Sequence, residues 1–187
     1  MMQIFIKNMV CDRCIAAVQS IFDDLTIPVE HIHLGSAETA ADLDESELTA
    51  LQQQLAMQGF GLLKSNAEKL TEQIKNEIIL LIAGLDIPED FILSEFLAAQ
   101  FHKHYSVISK TFSQQEKITL EQYFIHQKIE KVKELLIYNE LTLTEISNRL
   151  GYRSVQHLSS QFRNITGYSP TAFKSKDLPL RIPLDKI

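Results

Sequence analysis

The chain has 187 residues, 45% of them hydrophobic and 22% charged, the makeup of an ordinary globular protein of one domain or two small ones; disordered, collagen-like and disulfide-rich chains are excluded. Eighteen Lys and Arg against 24 Asp and Glu give a formal net charge of −6, which taken alone argues against nucleic acid or an anionic membrane as partner. The longest apolar run, Ile78 to Leu85, falls far short of the roughly 18 residues of a bilayer span, and the N-terminus lacks the basic segment and cleavage site of a signal peptide, so a cytoplasmic protein without a membrane partner is expected.

Met2, Ile4 and Ile6 alternate with Gln3, Phe5 and Lys7 as in a half-buried strand, and Ile15, Val18, Ile21 or Phe22 and Leu25 then recur at helical spacing. Between them stand Cys11 and Cys14, the only two cysteines, too close to staple a fold and therefore read as a metal or redox pair in a reducing compartment. Ile32 and Leu34 alternate with His31 and His33 before Gly35, and a weaker strand follows around Ala37 to Ala41. Asp44 with Glu47 then predicts the capped start of a helix whose apolar side is Leu48, Leu51 and Leu55. Gly59 stops it, and Phe60 to Lys64 reads as a last short strand. Strand, helix, strand, strand, helix, strand is the order of a small ferredoxin-like βαββαβ domain, here residues 1–64.

From Asn66 onward only helices are predicted. Leu70, Ile74, Ile78, Leu81 and Ile82 make one stripe, ended by Gly84 and Pro88, so residues 65–84 form a linker or first helix. Helices follow over Ile92 to Phe101, Ser106 to Phe112, Thr119 to Tyr138, Thr142 to Leu150, Ser154 to Ile165 and Pro170 to Lys174. In the long one Ile125, Ile129, Val132 and Leu136 step by four, three and four, and Thr119 with Gln122 and Thr142 with Glu145 form capping boxes. Helix-turn-helix spacing occurs twice, which makes residues 85–187 an all-α domain with two such units and the fold class α+β.

Charge divides along the same line. Residues 1–89 hold 5 basic and 14 acidic side chains, net −9, and residues 90–187 hold 13 and 10, net +3. Arg149 to Lys176 carries Arg149, Arg153, Arg163, Lys174 and Lys176 and no acid, so a locally positive face is expected despite the acidic total. In the second unit Ile146 and Leu150 belong to the first helix, Gly151 supplies a turn where positive φ is cheap, and Leu158 and Phe162 anchor the second helix. Val155, Gln156, His157, Ser159 and Ser160 are left facing outward, on a helix of a width that the major groove admits.

Leu150, Gly151, Tyr152, Leu158, Phe162, Arg163, Thr166, Gly167, Pro170 and Phe173 stand as L-G-Y-x-S-x-x-x-L-S-x-x-F-R-x-x-T-G-Y-S-P-x-x-F. With this pattern the chain resembles the AraC/XylS family of transcription regulators, from roughly Thr71 to Lys174. The resemblance implies seven helices, two helix-turn-helix units bridged by one long helix, and the second helix of each unit in the major groove of bent DNA. Residue by residue, it implies base contact from Gln156, His157 and Ser160, with Val155 and Ser159 at the rim, and in the first unit from Ser106, Ser109 and Lys110. The chemistry agrees: Gln suits adenine N6 and N7, Lys suits guanine O6 and N7, and each such pairing discriminates by about 1–3 kcal/mol. Arg153, Arg163 and Lys174 are the expected phosphate contacts. Two positions depart from the pattern: Gln100 to Tyr105 lacks the usual glycine of the first turn, and Ser160 stands where an arginine is often found. His126 and His157 lie on different helices and are read as surface or DNA contact rather than as metal ligands.

Met9-Val10-Cys11-Asp12-Arg13-Cys14 lies between the first strand and first helix. Thiolates two residues apart at a helix N-terminus converge on one ion, the helix dipole helps to deprotonate them, and soft sulfur favours Cu(I) or Zn(II). Met-x-Cys-x-x-Cys in this position makes residues 1 to about 64 similar to a heavy-metal-associated domain, with Asn8 in place of the usual glycine. That resemblance implies metal ligation by Cys11 and Cys14 and a methionine packed beneath the loop. Three readings of the loop stay open: a metal-sensing site, a metal-free module used for packing or dimerisation, and a thiol redox sensor. His31 and His33 are an exposed polar strand face.

The expected protein is a DNA-binding transcription regulator, not an enzyme, responsive to a thiophilic ion through Cys11 and Cys14. A metal-independent regulator is the first alternative, and a metallochaperone or thiol oxidoreductase the remote one. Double-stranded DNA is the expected partner, with RNA polymerase and a second copy of the chain as candidates.

Overall fold

The protein is described by a computed structural model over residues 1–175 and 181–187. Lys176, the last base of the acid-free stretch, lies outside the described residues. The chain divides into two units, Met1–Asn76 and Glu77–Ile187.

The first unit runs β1 (Met2–Lys7), α1 (Asp12–Asp24), β2 (Val29–His33), β3 (Ser36–Thr39), α2 (Glu45–Met57), β4 (Gly61–Leu62) and the start of α3 (Asn66–Ala83). Its strands form one antiparallel sheet in the order β2-β3-β1-β4. Register follows the alternation of the sequence: Ile4 lies opposite Ala37 and Ile6 opposite Leu62. Ile4, Ile6 and Ala37 are buried in one cluster with Val18, Ile21 and Phe22 of α1 and Leu51 and Leu55 of α2. Each of the larger side chains so buried, Ala37 excepted, contributes about 1.5–3 kcal/mol.

Local chemistry sets the element ends. Asp44 accepts from the Glu47 amide while the Glu47 carboxylate accepts from the Asp44 amide, a reciprocal cap that opens α2. The Glu47 amide, followed by the Ser46 side chain, holds the Asp44 carboxyl below its ordinary range. β4 is shorter than the expected Phe60 to Lys64: it starts after Phe60, whose amide is spent on Leu55 O at the end of α2, pairs with Ile6 and Lys7, and is followed by one further bond to β1, from the Leu63 amide to Phe5 O. β2 carries a bulge between Val29 and His31, and His31 and His33 are both exposed. α3 begins on a reciprocal Ser65–Glu68 cap, and the division between units falls inside it.

The second unit continues with α4 (Leu93–Phe101), α5 (Tyr105–Glu116), α6 (Leu120–Tyr138), α7 (Leu143–Arg149), α8 (Val155–Thr166) and α9 (Pro170–Lys174), and ends in a 3₁₀ turn at Leu184–Lys186. The capping boxes read at Thr119/Gln122 and Thr142/Glu145 are both formed. α6 is buried well beyond its apolar row: Ile129, Val132 and Leu136 are buried, Ile125 only half so, and Gln127, Lys128, Glu130 and Lys133 are buried as well. Glu130 pairs with Lys133. The end of the chain returns onto the same helix, where the Ile182 amide donates to Glu130, Arg181 bridges to Glu134 at 3.0 Å and Gln127 donates to Leu184 O. Among the described residues no helix is long and apolar enough to cross a membrane.

Candidate nucleic-acid interface

In the unit formed by α7 and α8, Leu150 ends α7, and Gly151 turns the chain at φ +65°. Only glycine fits this turn without strain, because a Cβ would stand 2.7 Å from Pro88 O and 2.8 Å from Ile87 Cγ2. The approach is fixed from the other side by the Ile87 amide, which donates to Arg149 O. Ser154 caps α8 by accepting from the His157 amide at 3.1 Å. Leu158 and Phe162 are wholly buried, and the Phe162 ring meets Phe173 edge-on at 5.5 Å. With its anchors turned inward, α8 leaves Gln156, His157 and Ser160 exposed, with Val155 and Ser159 half-buried beside them. Arg153 and Arg163 are exposed, and Lys174 is exposed while donating to Asn139 at the end of α6.

The unit formed by α4 and α5 repeats this plan fifty residues earlier. Ile108 and Phe112 are buried where Leu158 and Phe162 are, and Phe112 meets Tyr123 at 5.3 Å as Phe162 meets Phe173. Lys117 and Gly167 both end their helices in the left-handed conformation, and Thr119 and Ser169 both cap the helix that follows. The first turn differs: His102 takes the left-handed position, and His104 stands at the N-cap of α5 without a side-chain cap bond. Ser106 and Lys110 are exposed, and Ser109 is half-buried with its hydroxyl directed at Ser106 O. Tyr105 donates its hydroxyl to Glu121 at the start of α6, and burial followed by this bond raises the phenol above its ordinary range.

A model of the helix-turn-helix domain matches residues 97–176. Residues 97–176 thus carry a helix-turn-helix domain. It is 30% identical over 124 residues to the HTH-type transcriptional activator RhaS of Escherichia coli O139:H28 (strain E24377A / ETEC), a match covering 65% of this chain and 45% of that protein. Against the protein of the same description from Escherichia coli (strain SMS-3-5 / SECEC) it is 30% identical over 131 residues, 68% of this chain and 47% of that protein. The chain thus spans about half the length of the curated relatives it matches. The fold is that of the C-terminal domain of AraT, a response regulator from Geobacillus stearothermophilus, with TM-score 0.52 and 21% identity over 63% of this chain and 94% of that one.

One residue of the helix-turn-helix domain that no sequence motif marks is Lys128 on α6. It stands in a four-residue row with Phe124 and Val132, and that row was its only signal. Burial pushes its ammonium down to about 8. Its Nζ lies 3.8 Å from the centroid of the Tyr152 ring, just ahead of α8.

In the first unit, Asn8 turns the chain at φ +71° after β1, and its amide donates to Glu72 at 2.7 Å. Met9 is wholly buried beneath the loop. Cys11 is exposed at the N-cap of α1, Cys14 is half-buried one turn on, and the two sulfurs lie 3.6 Å apart. Sulfurs sharing a tetrahedral zinc, with Zn–S of about 2.3 Å, stand about 3.8 Å apart, so the pair fits a common thiophilic ion. Among the described residues no third His, Cys, Asp or Glu joins them, and a donor set of two thiolates suits Cu(I) better than four-coordinate zinc. The expected lowering of the thiols by the helix terminus is not found at Cys14, whose thiol is raised, chiefly because it is buried.

Proposed function

We propose that this chain is a sequence-specific DNA-binding transcription regulator in which α5 and α8 enter successive major-groove segments. The observation that carries the reading is the division of α8 into a wholly buried side, Leu158 and Phe162, and an exposed side bearing Gln156, His157 and Ser160. Arg153 and Arg163 flank it in a stretch without acids, and the matched relatives, described as HTH-type transcriptional activators, point the same way. Gln156 is the adenine reader and Lys110 of α5 the guanine reader; Ser106, Ser109, Val155, His157, Ser159 and Ser160 complete the base-facing surface. Arg153, Arg163 and Lys174 hold phosphates and fix the register.

For the first unit the reading is a ferredoxin-like domain of the heavy-metal-associated type, with Cu(I), or less aptly Zn(II), held by Cys11 and Cys14. Its support is the strand order β2-β3-β1-β4, the buried Met9 and the 3.6 Å sulfur separation. Metal would alter DNA affinity only by binding the two states of the protein unequally. A metal-independent regulator using this unit to dimerise is the second reading, favoured by the raised Cys14 thiol, which is a poorer ligand at neutral pH.

The test is selection of duplexes bound by the full chain from a random pool, repeated with Cu(I) and with Zn(II). Recovery of no preferred sequence overturns the regulator reading, and a preferred sequence bound equally with and without either ion leaves the metal-independent version.

A further inference from the structure

We infer that Lys128 is a positioning residue for DNA reading: its ammonium, held against the face of Tyr152, fixes the ring that braces His157 and Gln161 on α8. The inference rests on the DNA-binding reading above and deepens it. Lys128 is 7% exposed and Tyr152 4% exposed, so this pair is sealed between α6 and the turn that leads into α8. The Lys128 Nζ stands 3.8 Å from the Tyr152 ring centroid and 5.3 Å from that of Phe124 on its own helix. The Tyr152 hydroxyl donates to Gln161 Oε1 at 2.7 Å, and the His157 ring packs on Tyr152 with centroids 5.4 Å apart and planes at 78°. One ring therefore touches the first and second turns of α8, beside Gln156 and Ser160.

An uncharged side chain such as methionine would fill the same volume without the cost of burying a charge. What the ammonium adds is directional attraction to a ring face, strongest where water is excluded, and this holds Tyr152 in one orientation rather than merely in place. The titratable groups on the elements packed against α6 are Tyr105, Lys110 and Glu116 on α5, Glu145 and Arg149 on α7, Tyr152 and Arg153 in the turn, His157 and Arg163 on α8 and Lys174 on α9, with Glu89 and Asp90 beside Phe91, whose ring lies 5.8 Å from Phe124. Glu145 is held by the Thr142 cap and Lys174 by Asn139. None of them contributes to the lowered pKa of Lys128, whose cause is burial, so among the described residues no carboxylate keeps this ammonium charged. As pH rises through about 8 the proton is lost, the attraction to the ring goes with it, and α8 loses its brace.

The experiment measures affinity of the full chain for a duplex it has selected, at fixed salt between about pH 6.5 and 9.5, for wild type, Lys128→Arg and Lys128→Met, with folding followed by circular dichroism. Wild-type affinity is expected to fall about tenfold across pH 8, the scale of a desolvated cation–π contact. Lys128→Arg, charged throughout, is expected to bind tightly with a flat profile, and Lys128→Met to bind weakly with a flat profile. Should Lys128→Met fail to fold, wild type against Lys128→Arg decides the matter. Equal affinity of folded Lys128→Met and wild type at pH 7, or a profile shared by wild type and Lys128→Arg, overturns this inference while leaving the DNA-binding reading intact. Failure of wild type to select any duplex overturns both.

Discussion

His102 turns the chain after α4 in the left-handed conformation that Gly151 takes after α7, one place apart in the fifty-residue repeat: φ is +50° at the histidine and +65° at the glycine. The two turns serve the same purpose, and only one of them is built from the residue that adopts this conformation without strain. Replacing His102 by glycine should therefore raise stability, by about 0.5–1 kcal/mol after the greater freedom of glycine in the unfolded chain is subtracted. Gly151→Ala should cost about 2–5 kcal/mol, since it adds a Cβ against Pro88 O and Ile87 to the unfavourable φ. Urea denaturation of the two variants checks both signs, and a Gly151→Ala protein as stable as wild type would contradict the turn geometry.

Specificity and affinity should separate on α8. Gln156→Ala is expected to cost about 1–3 kcal/mol on the selected duplex and to relax the preference at one base pair. Arg163→Ala should weaken binding to all duplexes alike and reduce the slope of log K against log salt by about 1. Binding isotherms at several salt concentrations distinguish the two, and a sequence-dependent loss for Arg163→Ala would remove it from the phosphate contacts.

Cys11→Ser should abolish Cu(I) retention by the chain, because one remaining thiolate cannot hold the ion against a competing chelator. The substitution lies at the exposed N-cap of α1 and removes no side chain of the buried cluster, so thermal unfolding should stay within about 0.5 kcal/mol of wild type. Chelator competition with the two proteins is the measurement, and undiminished retention by Cys11→Ser would exclude the pair as the site.

Stability and DNA affinity should respond to alkaline pH in opposite directions at Lys128. Its folded pKa of about 8 lies below the ordinary lysine value of 10.5, so between these values the unfolded chain holds a proton that the native protein has released. Stability rises with pH wherever the unfolded state binds more protons, and the contribution of Lys128 to folding is least favourable below about pH 8. Wild type should therefore gain stability relative to Lys128→Met between about pH 7.5 and 9.5 while it loses affinity for DNA. Urea melts of both proteins at the two ends of this range provide the check, and a constant difference between them would contradict the lowered pKa.

The order of elements was legible in the sequence because it is written in short-range chemistry. Asp44 with Glu47, Thr119 with Gln122 and Thr142 with Glu145 begin their helices through bonds that span three residues, and Gly151 makes its turn from its own lack of a Cβ. Leu158 and Phe162, one turn apart, are enough to say which side of α8 faces inward and so which residues face out. The net charge of −6 was least informative when summed over the whole chain, because it averages an acidic first half with a second half whose basic stretch flanks α8.

Tertiary structure decided what depends on residues distant in the chain. Lys128 reads as one polar position on a long helix until Tyr152, 24 residues later, covers it and removes its water. Cys14 reads as a thiol favoured by a helix terminus until burial raises it instead. β4 starts only at Gly61 because α2 claims the Phe60 amide, and α6 is buried on its polar side because the chain end returns to Glu130 and Glu134. Hydrogen bonds between neighbours in sequence are fixed by local geometry, whereas burial, and every pKa and contact that follows from it, exists only once distant segments have met.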